Sequence, residues 1–250
     1  VTFLFLAAAT WMALVYAPTE PLMGHVQRLF YFHMGTVWVA TVAFIIVFVA
    51  SIMYLWKQTR GWDILAYCSA EIGVLFLTIT ILTGAIWAKP IWGTWWTWDP
   101  QLTTTFILWI LYIVYLILRS SAGTNTRRAK FAAVFGIIAF IDLPLVYLSV
   151  RVMRGISPVV FGPGGGGIEP EMMHALLVNI AACSLLFIVL LLERMDLEKM
   201  GDALARHPDA RRVDWSALVL TVGGSMAVQA VTAARWPHLT GRPLLQGHRL

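Results

Sequence analysis

The chain alternates long apolar runs with short polar segments. Crossing the hydrocarbon core of a bilayer, about 30 Å thick, takes about 17–25 helical residues. Six runs approach or reach that length, namely residues 1–17, 33–56, 64–88, 102–118, 129–150 and 172–192. Because lipid offers no hydrogen bonds to the backbone, each run has to be a helix that satisfies its own peptide groups. The pattern predicts an all-α, polytopic integral membrane protein with six transmembrane helices.

The pattern changes after residue 192. Residues 193–214 mix charged and apolar positions, and we expect them to form an amphipathic segment on the cytoplasmic side. Residues 216–234 allow a possible seventh span, although glycine, serine and glutamine dilute this run. We therefore divide the chain into a six-span membrane domain over 1–192, the amphipathic segment over 193–214 and a tail of uncertain structure over 215–250.

Composition and charge support this interpretation and give it an orientation. Apolar residues make up 59% of the chain and charged residues 12%, about half the charged share of a soluble domain. Eleven Lys and Arg residues fall in one set of connecting segments, which are residues 57–63, 119–130 and 193–214, whereas four fall in the opposite set, which are residues 18–32, 89–101 and 151–171. The excess of positive charge predicts that the first set is cytoplasmic and the second extracytoplasmic. This positive charge lies in short segments between apolar runs. Because that pattern indicates orientation in a membrane, we expect no nucleic-acid partner.

The second extracytoplasmic segment, together with the helix end before it, is unusually rich in tryptophan. Five tryptophans occur within twelve residues, at positions 87, 92, 95, 96 and 98. Tryptophan is common at bilayer interfaces, but anchoring needs only one or two rings at each helix end. With Pro90, Gly93 and Pro100 as helix breaks, we interpret residues 87–101 as a semi-rigid aromatic wall. Such a wall suits a flat, polarisable ligand.

Histidines and cations on the same side extend the candidate site. His33 and His174 each stand at the extracytoplasmic start of a predicted span. Imidazole is the commonest protein ligand of haem iron. Arg28 and Arg151, together with Lys89 and Arg154, are the few cations of this side. They could pair with the two carboxylates of haem or with lipid phosphates, and the sequence leaves both possibilities open. No Walker A motif is present, so the chain is not predicted to be an enzyme, and any nucleotide hydrolysis belongs to a partner.

The segment Trp92-Gly-Thr-Trp-Trp-Thr-Trp-Asp-Pro-Gln-Leu-Thr-Thr104 resembles the WWD signature of haem-handling membrane proteins. The likeness is strongest to the CcmC family, the haem exporter protein C family of cytochrome c maturation. Two further stretches, Gln27 to His33 and Asp142 to Arg151, are similar to other parts of that family. The resemblance covers about residues 1–195. The larger WWD relatives, CcsA and CcmF, carry more spans and additional histidines.

The resemblance implies a function and a set of partners. Members of the family bind haem as cargo, here haem b, at the extracytoplasmic face of the bacterial inner membrane, between two histidines that flank the WWD loop. They help to load it onto the haem chaperone CcmE, and they work with the ABC-type subunits CcmA and CcmB and the small membrane protein CcmD. By this resemblance His33 is an iron ligand. The platform consists of Trp92, Trp95, Trp96, Trp98 and Asp99.

The sequence departs from the family pattern at three places. Met34-Gly35 replaces the usual Val-Pro after the first histidine, and Gln101 replaces a basic residue. Ser157 stands where the second histidine of the family is expected. His174 is then either a displaced second ligand or an unrelated interfacial residue.

Two other functions fit the same chain. One is a membrane oxidoreductase subunit that passes electrons through b-type haem, although such proteins usually hold haems at two depths. The other is a transporter of a different small molecule, in which the tryptophans form a gate. The haem content of the purified protein would separate these alternatives.

Overall fold

The computed structural model describes residues 1–20, 23–120, 125–153 and 168–206. Apart from an isolated bridge between Glu20 and Gly24, every regular element in these residues is helical. The α-helices are α1 (Thr2–Trp11), α2 (Arg28–Lys57), α3 (Arg60–Trp92), α4 (Pro100–Ser120), α5 (Asn125–Phe140), α6 (Asp142–Val152) and α7 (Pro170–Arg206). A π-helix (Met12–Tyr16) continues α1, and a 3₁₀ turn (His25–Gln27) precedes α2. Residues 1–199 form one compact unit, and the second unit begins at residue 200 and is described only to residue 206.

The prediction of an all-α, polytopic membrane protein is confirmed. Within the described part of the chain, five helical stretches are long and apolar enough to cross a membrane. They are His25–Lys57, Arg60–Trp92, Pro100–Ser120, Thr126–Val152 and Pro170–Leu204. The remaining predicted span corresponds to a shorter apolar helix, Thr2–Tyr16. The possible seventh span at 216–234, and the tail from 215 on, lie outside the described residues.

The structure adds detail to two of the predicted spans. The fifth span is not one unbroken helix, because a turn at Ile141 separates α5 from α6. Pro144 lacks the N–H that would bond to the Phe140 carbonyl, so one helical hydrogen bond is missing there. The N–H of Ile141 donates to the carbonyl of Ile138, three residues earlier, at 3.1 Å. Residues 193–206 of the predicted amphipathic segment continue the last helix, since α7 runs without a break to Arg206.

The helices align so that the bundle has two distinct ends. Only Gln58 and Thr59 separate α2 from α3, which makes the two an antiparallel pair. Helix α7 runs parallel to α2, since Gly35 lies against Asn179 and Cys183. We call the end that holds residues 92–100 and the starts of α2 and α7 the tryptophan end. The opposite end, which holds residues 57–60, 119–120 and 125–128, is the basic end.

Close packing between α2 and α3 forms the centre of the bundle. Phe44 of α2 stacks on Tyr112 of α4 with ring centroids 3.7 Å apart. Gly73 of α3 faces that phenylalanine, and a Cβ at Gly73 would lie 2.7 Å from its ring. Small residues allow helix backbones to approach closely in membrane proteins. This contact therefore fixes how α2 and α3 are rotated against each other.

Ion pairs hold the helices together at the basic end. Asp63 of α3 bonds to Arg119 of α4 at 2.5 Å, and the two side chains are only 5% and 6% exposed. Arg60 also pairs with Asp63. Arg194 of α7 pairs with Glu71 of α3 at 2.7 Å. Because buried charges are costly unless paired, these contacts define which helices meet at this end.

Candidate functional site

His33 lies in the second turn of α2 and is held against α3. Its Nδ1 is 2.9 Å from the hydroxyl oxygen of Thr83. The neighbouring Gly84 leaves room for the ring, since a Cβ there would lie 3.2 Å from His33 Cε1. The sequence placed His33 where a helix begins, but α2 begins five residues earlier, at Arg28. The imidazole is therefore inside the α2–α3 contact and not in a loop.

Helix α3 connects this histidine to the tryptophan-rich segment. Trp87 follows Thr83 by four residues, on the same helix face and about 6 Å further along the axis. Its ring meets that of Trp92 edge to face, with centroids 5.3 Å apart. His33 thus lies about one helical turn below the first tryptophans of the segment.

The tryptophan segment is partly helical. We predicted a wall over residues 87–101 with a break at Pro90, whereas α3 includes Pro90 and continues to Trp92. Gly93 ends the helix with φ +75°, a conformation that favours glycine, and its N–H donates to the Lys89 carbonyl at 3.0 Å. The Lys89 ammonium in turn donates to the Gly93 carbonyl at 2.9 Å. The loop proper therefore consists of residues 93–99.

The second half of the segment packs on α4. Trp96 meets Trp98 and Phe106 edge to face, at centroid distances of 5.7 and 6.1 Å. Trp95 and Trp98 are 57% and 71% exposed. Lys89 lies 6.0 Å from the Trp95 ring centroid. The structure thus shows an aromatic wall in which Trp96 packs against α4, while the rings of Trp95 and Trp98 are exposed and can contact a ligand.

Asp99 is the N-cap of α4. Its carboxylate accepts a hydrogen bond from the Leu102 N–H at 2.9 Å, and its carbonyl accepts one from Thr103 at 2.9 Å. Pro100 occupies the first helical position, where its missing N–H costs nothing. The sequence analysis assigned Asp99 only to the platform, although an Asp-Pro pair before an apolar run is a recognised helix start. The aspartate fixes the direction in which the chain leaves the loop.

Several buried donors at the tryptophan end have no acceptor among the described residues. They are the indole N–H groups of Trp87 and Trp96, the hydroxyl of Thr97 and the Nε–H of Arg28. Buried polar groups are normally hydrogen-bonded, and an unpaired one calls for an explanation. A ligand with carboxylate groups would supply acceptors to these donors. Carboxylate groups are therefore one chemical class of partner for these donors.

His174 lies apart from His33. It is exposed near the start of α7, and its Nδ1 is 3.3 Å from the Tyr16 hydroxyl of the π-helix. Helix α7 contacts the side of α2 that carries Gly35. At 3.6 residues per turn, that side is about 160° around the helix axis from His33. The structure thus brings His33 to the tryptophan segment and places the other predicted ligand on the opposite side of α2.

The other predicted site residues are distributed around the same end. Arg28 is the first residue of α2 and is half-buried. Arg151 is exposed in the last turn of α6. Ser157 and Arg154 lie outside the described residues. Thr83 and Gly84 were not among the predicted site residues, because nothing in a linear sequence indicates which residue of α3 faces a histidine of α2.

The fold and the site define a polytopic α-helical membrane protein with a tryptophan-rich loop beside a histidine at one end of its bundle. The model of the family CcmC, heme exporter protein C, matches residues 1–208. The chain belongs to this family.

Individual relatives agree with the family match. Heme exporter protein C of Bradyrhizobium diazoefficiens is 31% identical, over 76% of this chain and 76% of its own length. Its counterpart in Haemophilus influenzae is 34% identical, over 60% of this chain and 61% of its own length. Cytochrome c biogenesis protein CcsA of Prochlorococcus marinus is 43% identical over 94 residues, which are 38% of this chain and 29% of that protein. The chain is thus similar to two kinds of cytochrome c biogenesis protein.

Proposed function

We propose that this chain binds haem at its tryptophan end and passes it on for cytochrome c assembly. One observation carries the proposal. The ring of His33 on α2 is hydrogen-bonded to Thr83 on α3, and α3 leads into the tryptophan segment. A candidate iron ligand and an aromatic wall therefore belong to one packed pair of helices. Imidazole suits haem iron, and aromatic rings suit the faces and edges of a flat macrocycle. The printed names of the relatives, heme exporter and cytochrome c biogenesis protein, support haem handling.

Each part of the site has a role in this proposal. His33 ligates the iron, and Trp92, Trp95, Trp96 and Trp98 form the platform for the macrocycle. The unpaired donors of the tryptophan end, including Arg28, bind the carboxylates, and Arg151 is a further cation of this end. Haem b is the cargo. Its iron offers a coordination position for the imidazole of His33. The chain binds and orients this cargo and is not an enzyme.

The second axial position has two candidate occupants. His174 is one, and it reaches the iron held by His33 only if the start of α7 moves relative to α2, because the two histidines face different sides of α2. The other is a histidine of the receiving chaperone, which would enter an open position. The variant His174→Ala distinguishes them: a change from a six-coordinate low-spin to a five-coordinate high-spin spectrum identifies His174 as a ligand. If the parent protein and His174→Ala both give a five-coordinate spectrum, the second axial position is open to the histidine of the chaperone.

The proposal includes a location and partners. Because the basic end carries most of the Lys and Arg residues, it faces the cytoplasm of a bacterial inner membrane. The tryptophan end is then extracytoplasmic, and haem passes from there to the chaperone CcmE. The ABC-type subunits CcmA and CcmB and the small protein CcmD assist this transfer. Membership of the CcmC family supports these assignments.

The alternative functions gain no support from the described geometry. The histidines of the described residues are His25, His33 and His174, and all three lie at the tryptophan end. An electron path through the bilayer usually needs haems at two depths. Two haems per chain in the purified protein would favour the oxidoreductase subunit, and the absence of a Soret band would favour another transporter.

Haem titration of the detergent-purified protein tests the proposed site. His33→Ala should reduce haem content and shift the Soret band. The double variant Trp95→Ala with Trp98→Ala removes two exposed rings. At about 0.5–1.5 kcal/mol for each aromatic contact, it should weaken haem binding roughly 5- to 140-fold.

A matched control separates this effect from a general loss of tryptophan. Trp56 lies at the basic end and is 76% exposed, so Trp56→Ala should leave haem affinity unchanged. Normal haem content and an unchanged Soret band in His33→Ala would refute the ligand assignment. Equal affinity of the double variant and the control would show that the rings act only as membrane anchors.

A further inference from the structure

The contact between His33 and Thr83 determines more than the position of the imidazole. A neutral imidazole has one N–H and one nitrogen lone pair, and only the lone pair can bind iron. The ring nitrogen whose lone pair is available to iron is therefore determined by the hydrogen bond that the other ring nitrogen makes. Nδ1 of His33 is engaged at 2.9 Å, so its hydrogen-bond partner decides the tautomer.

The hydroxyl of Thr83 is already used as a donor. Its oxygen lies 2.8 Å from the Ile79 carbonyl and 3.1 Å from the Thr80 carbonyl. A carbonyl can only accept, so the single hydroxyl proton of Thr83 points into its own helix. The hydroxyl oxygen then meets His33 as an acceptor.

The backbone of His33 is fixed from the same helix. Thr80 donates its hydroxyl to Thr36 at 2.9 Å, and Thr36 donates to the His33 carbonyl at 2.8 Å. Gly84 supplies the space in which the ring lies, with a hypothetical Cβ only 3.2 Å from Cε1. Thus α3 holds both the main chain and the ring of the histidine.

We infer that Thr83 is a positioning residue that keeps His33 in the Nδ1–H tautomer, with Nε2 presented as the only nitrogen able to bind iron. Nε2 makes no hydrogen bond to any described residue, in contrast to Nδ1. In ligating histidines, a partner on the second ring nitrogen fixes the tautomer and raises the basicity of the first. Thr83 acts through His33 and does not itself touch the ligand. This inference rests on the proposed role of His33 as a haem ligand.

The tautomer can be measured without haem. In haem-free protein labelled with ¹⁵N-histidine, the His33 signal is the one that disappears in His33→Gln. Its nitrogen shifts should show the Nδ1–H form in the parent protein. Thr83→Val removes the acceptor and should move the signal toward the Nε2–H form, whereas Thr83→Ser should keep the original form.

Haem binding gives the second measurement. Loss of such a partner typically lowers metal affinity about 10- to 100-fold, so Thr83→Val should weaken haem binding by that factor and Thr83→Ser should not. Thr78→Val is the matched control, because Thr78 lies on the same helix and accepts a hydrogen bond from Trp109 at 2.8 Å instead of from His33. Equal weakening by Thr78→Val would mean that loss of any hydroxyl in this helix is sufficient, and the inference would fail.

The outcomes separate this inference from the function on which it rests. An Nε2–H signal in the parent protein, or an unchanged signal in Thr83→Val, overturns the role of Thr83 whatever the haem results show. If His33→Ala binds haem as well as the parent does, the proposed ligand is wrong even when the tautomer is as inferred. If Thr83→Val fails to fold, Thr83→Ser and the signal of the parent protein still decide the question.

Discussion

Replacement of Asp99 tests whether the aspartate of the tryptophan loop acts by capping or by its charge. The side chain caps α4 by accepting the Leu102 N–H at 2.9 Å. Asp99→Ala removes this acceptor, whereas Asp99→Asn and Asp99→Ser remove the charge and keep an N-capping group. The three residues Asp, Asn and Ser are about equally good N-caps. If capping is the role, only the alanine variant should impair the loop.

The expected size of the effect follows from the loss of one cap. Replacement of an N-cap by alanine costs about 1 kcal/mol, within a range of about 0.5–2. For a chain of this size such a loss lowers Tm by about 2–4 °C per kcal/mol. Locally, 1 kcal/mol is about a fivefold change in the ratio of capped to frayed first turns of α4. Since Thr97 and Trp98 directly precede Asp99, fraying should lower haem affinity by at most the same factor.

Haem titration and thermal unfolding of the three variants provide the assay. We expect Asp99→Ala to bind haem more weakly, by up to about fivefold, and to unfold a few degrees earlier, with the parent values kept by Asp99→Asn and Asp99→Ser. Equal loss of haem affinity in all three variants, without a change of Tm in the asparagine and serine proteins, would refute capping as the role. The carboxylate charge would then be the required feature.

Two further predictions concern stability and use thermal unfolding in detergent. Asp63→Asn leaves the buried guanidinium of Arg119 without its carboxylate and should cost about 3–5 kcal/mol. Arg60→Gln removes a more exposed guanidinium, which pairs with Asp63 and Glu198, and should cost about 1 kcal/mol or less. Equal costs would contradict the difference in burial between the two arginines. Gly73→Ala places a methyl group 2.7 Å from a stacked ring and should cost about 1–3 kcal/mol. Gly61→Ala meets nothing within 4 Å and should be neutral or stabilising, so destabilisation by Gly61→Ala would show that the packing argument is wrong.

The sequence alone was sufficient for the membrane architecture, and it contains the tryptophan cluster and His33 on which the proposed site rests. Lipid permits only self-satisfied backbone, so apolar length is enough to predict a helix. The tryptophan cluster and His33 are local features, and a rare residue repeated within twelve positions is recognisable without any tertiary information. Element ends were less certain, since a proline can lie within the last turn of a helix, as Pro90 does in α3.

The tertiary structure decided which residues meet. Thr83 faces His33 because α2 and α3 are rotated so that Gly73 accommodates an aromatic ring, and a helix that is apolar on all sides carries no periodicity that would reveal this rotation. For the same reason the sequence could place His33 and His174 at one end of the bundle but could not show that α2 lies between them. Depth in the membrane follows from counting residues along a span. The direction in which a side chain points depends on how small and large side chains of different helices fit together, and only the packed bundle determines that.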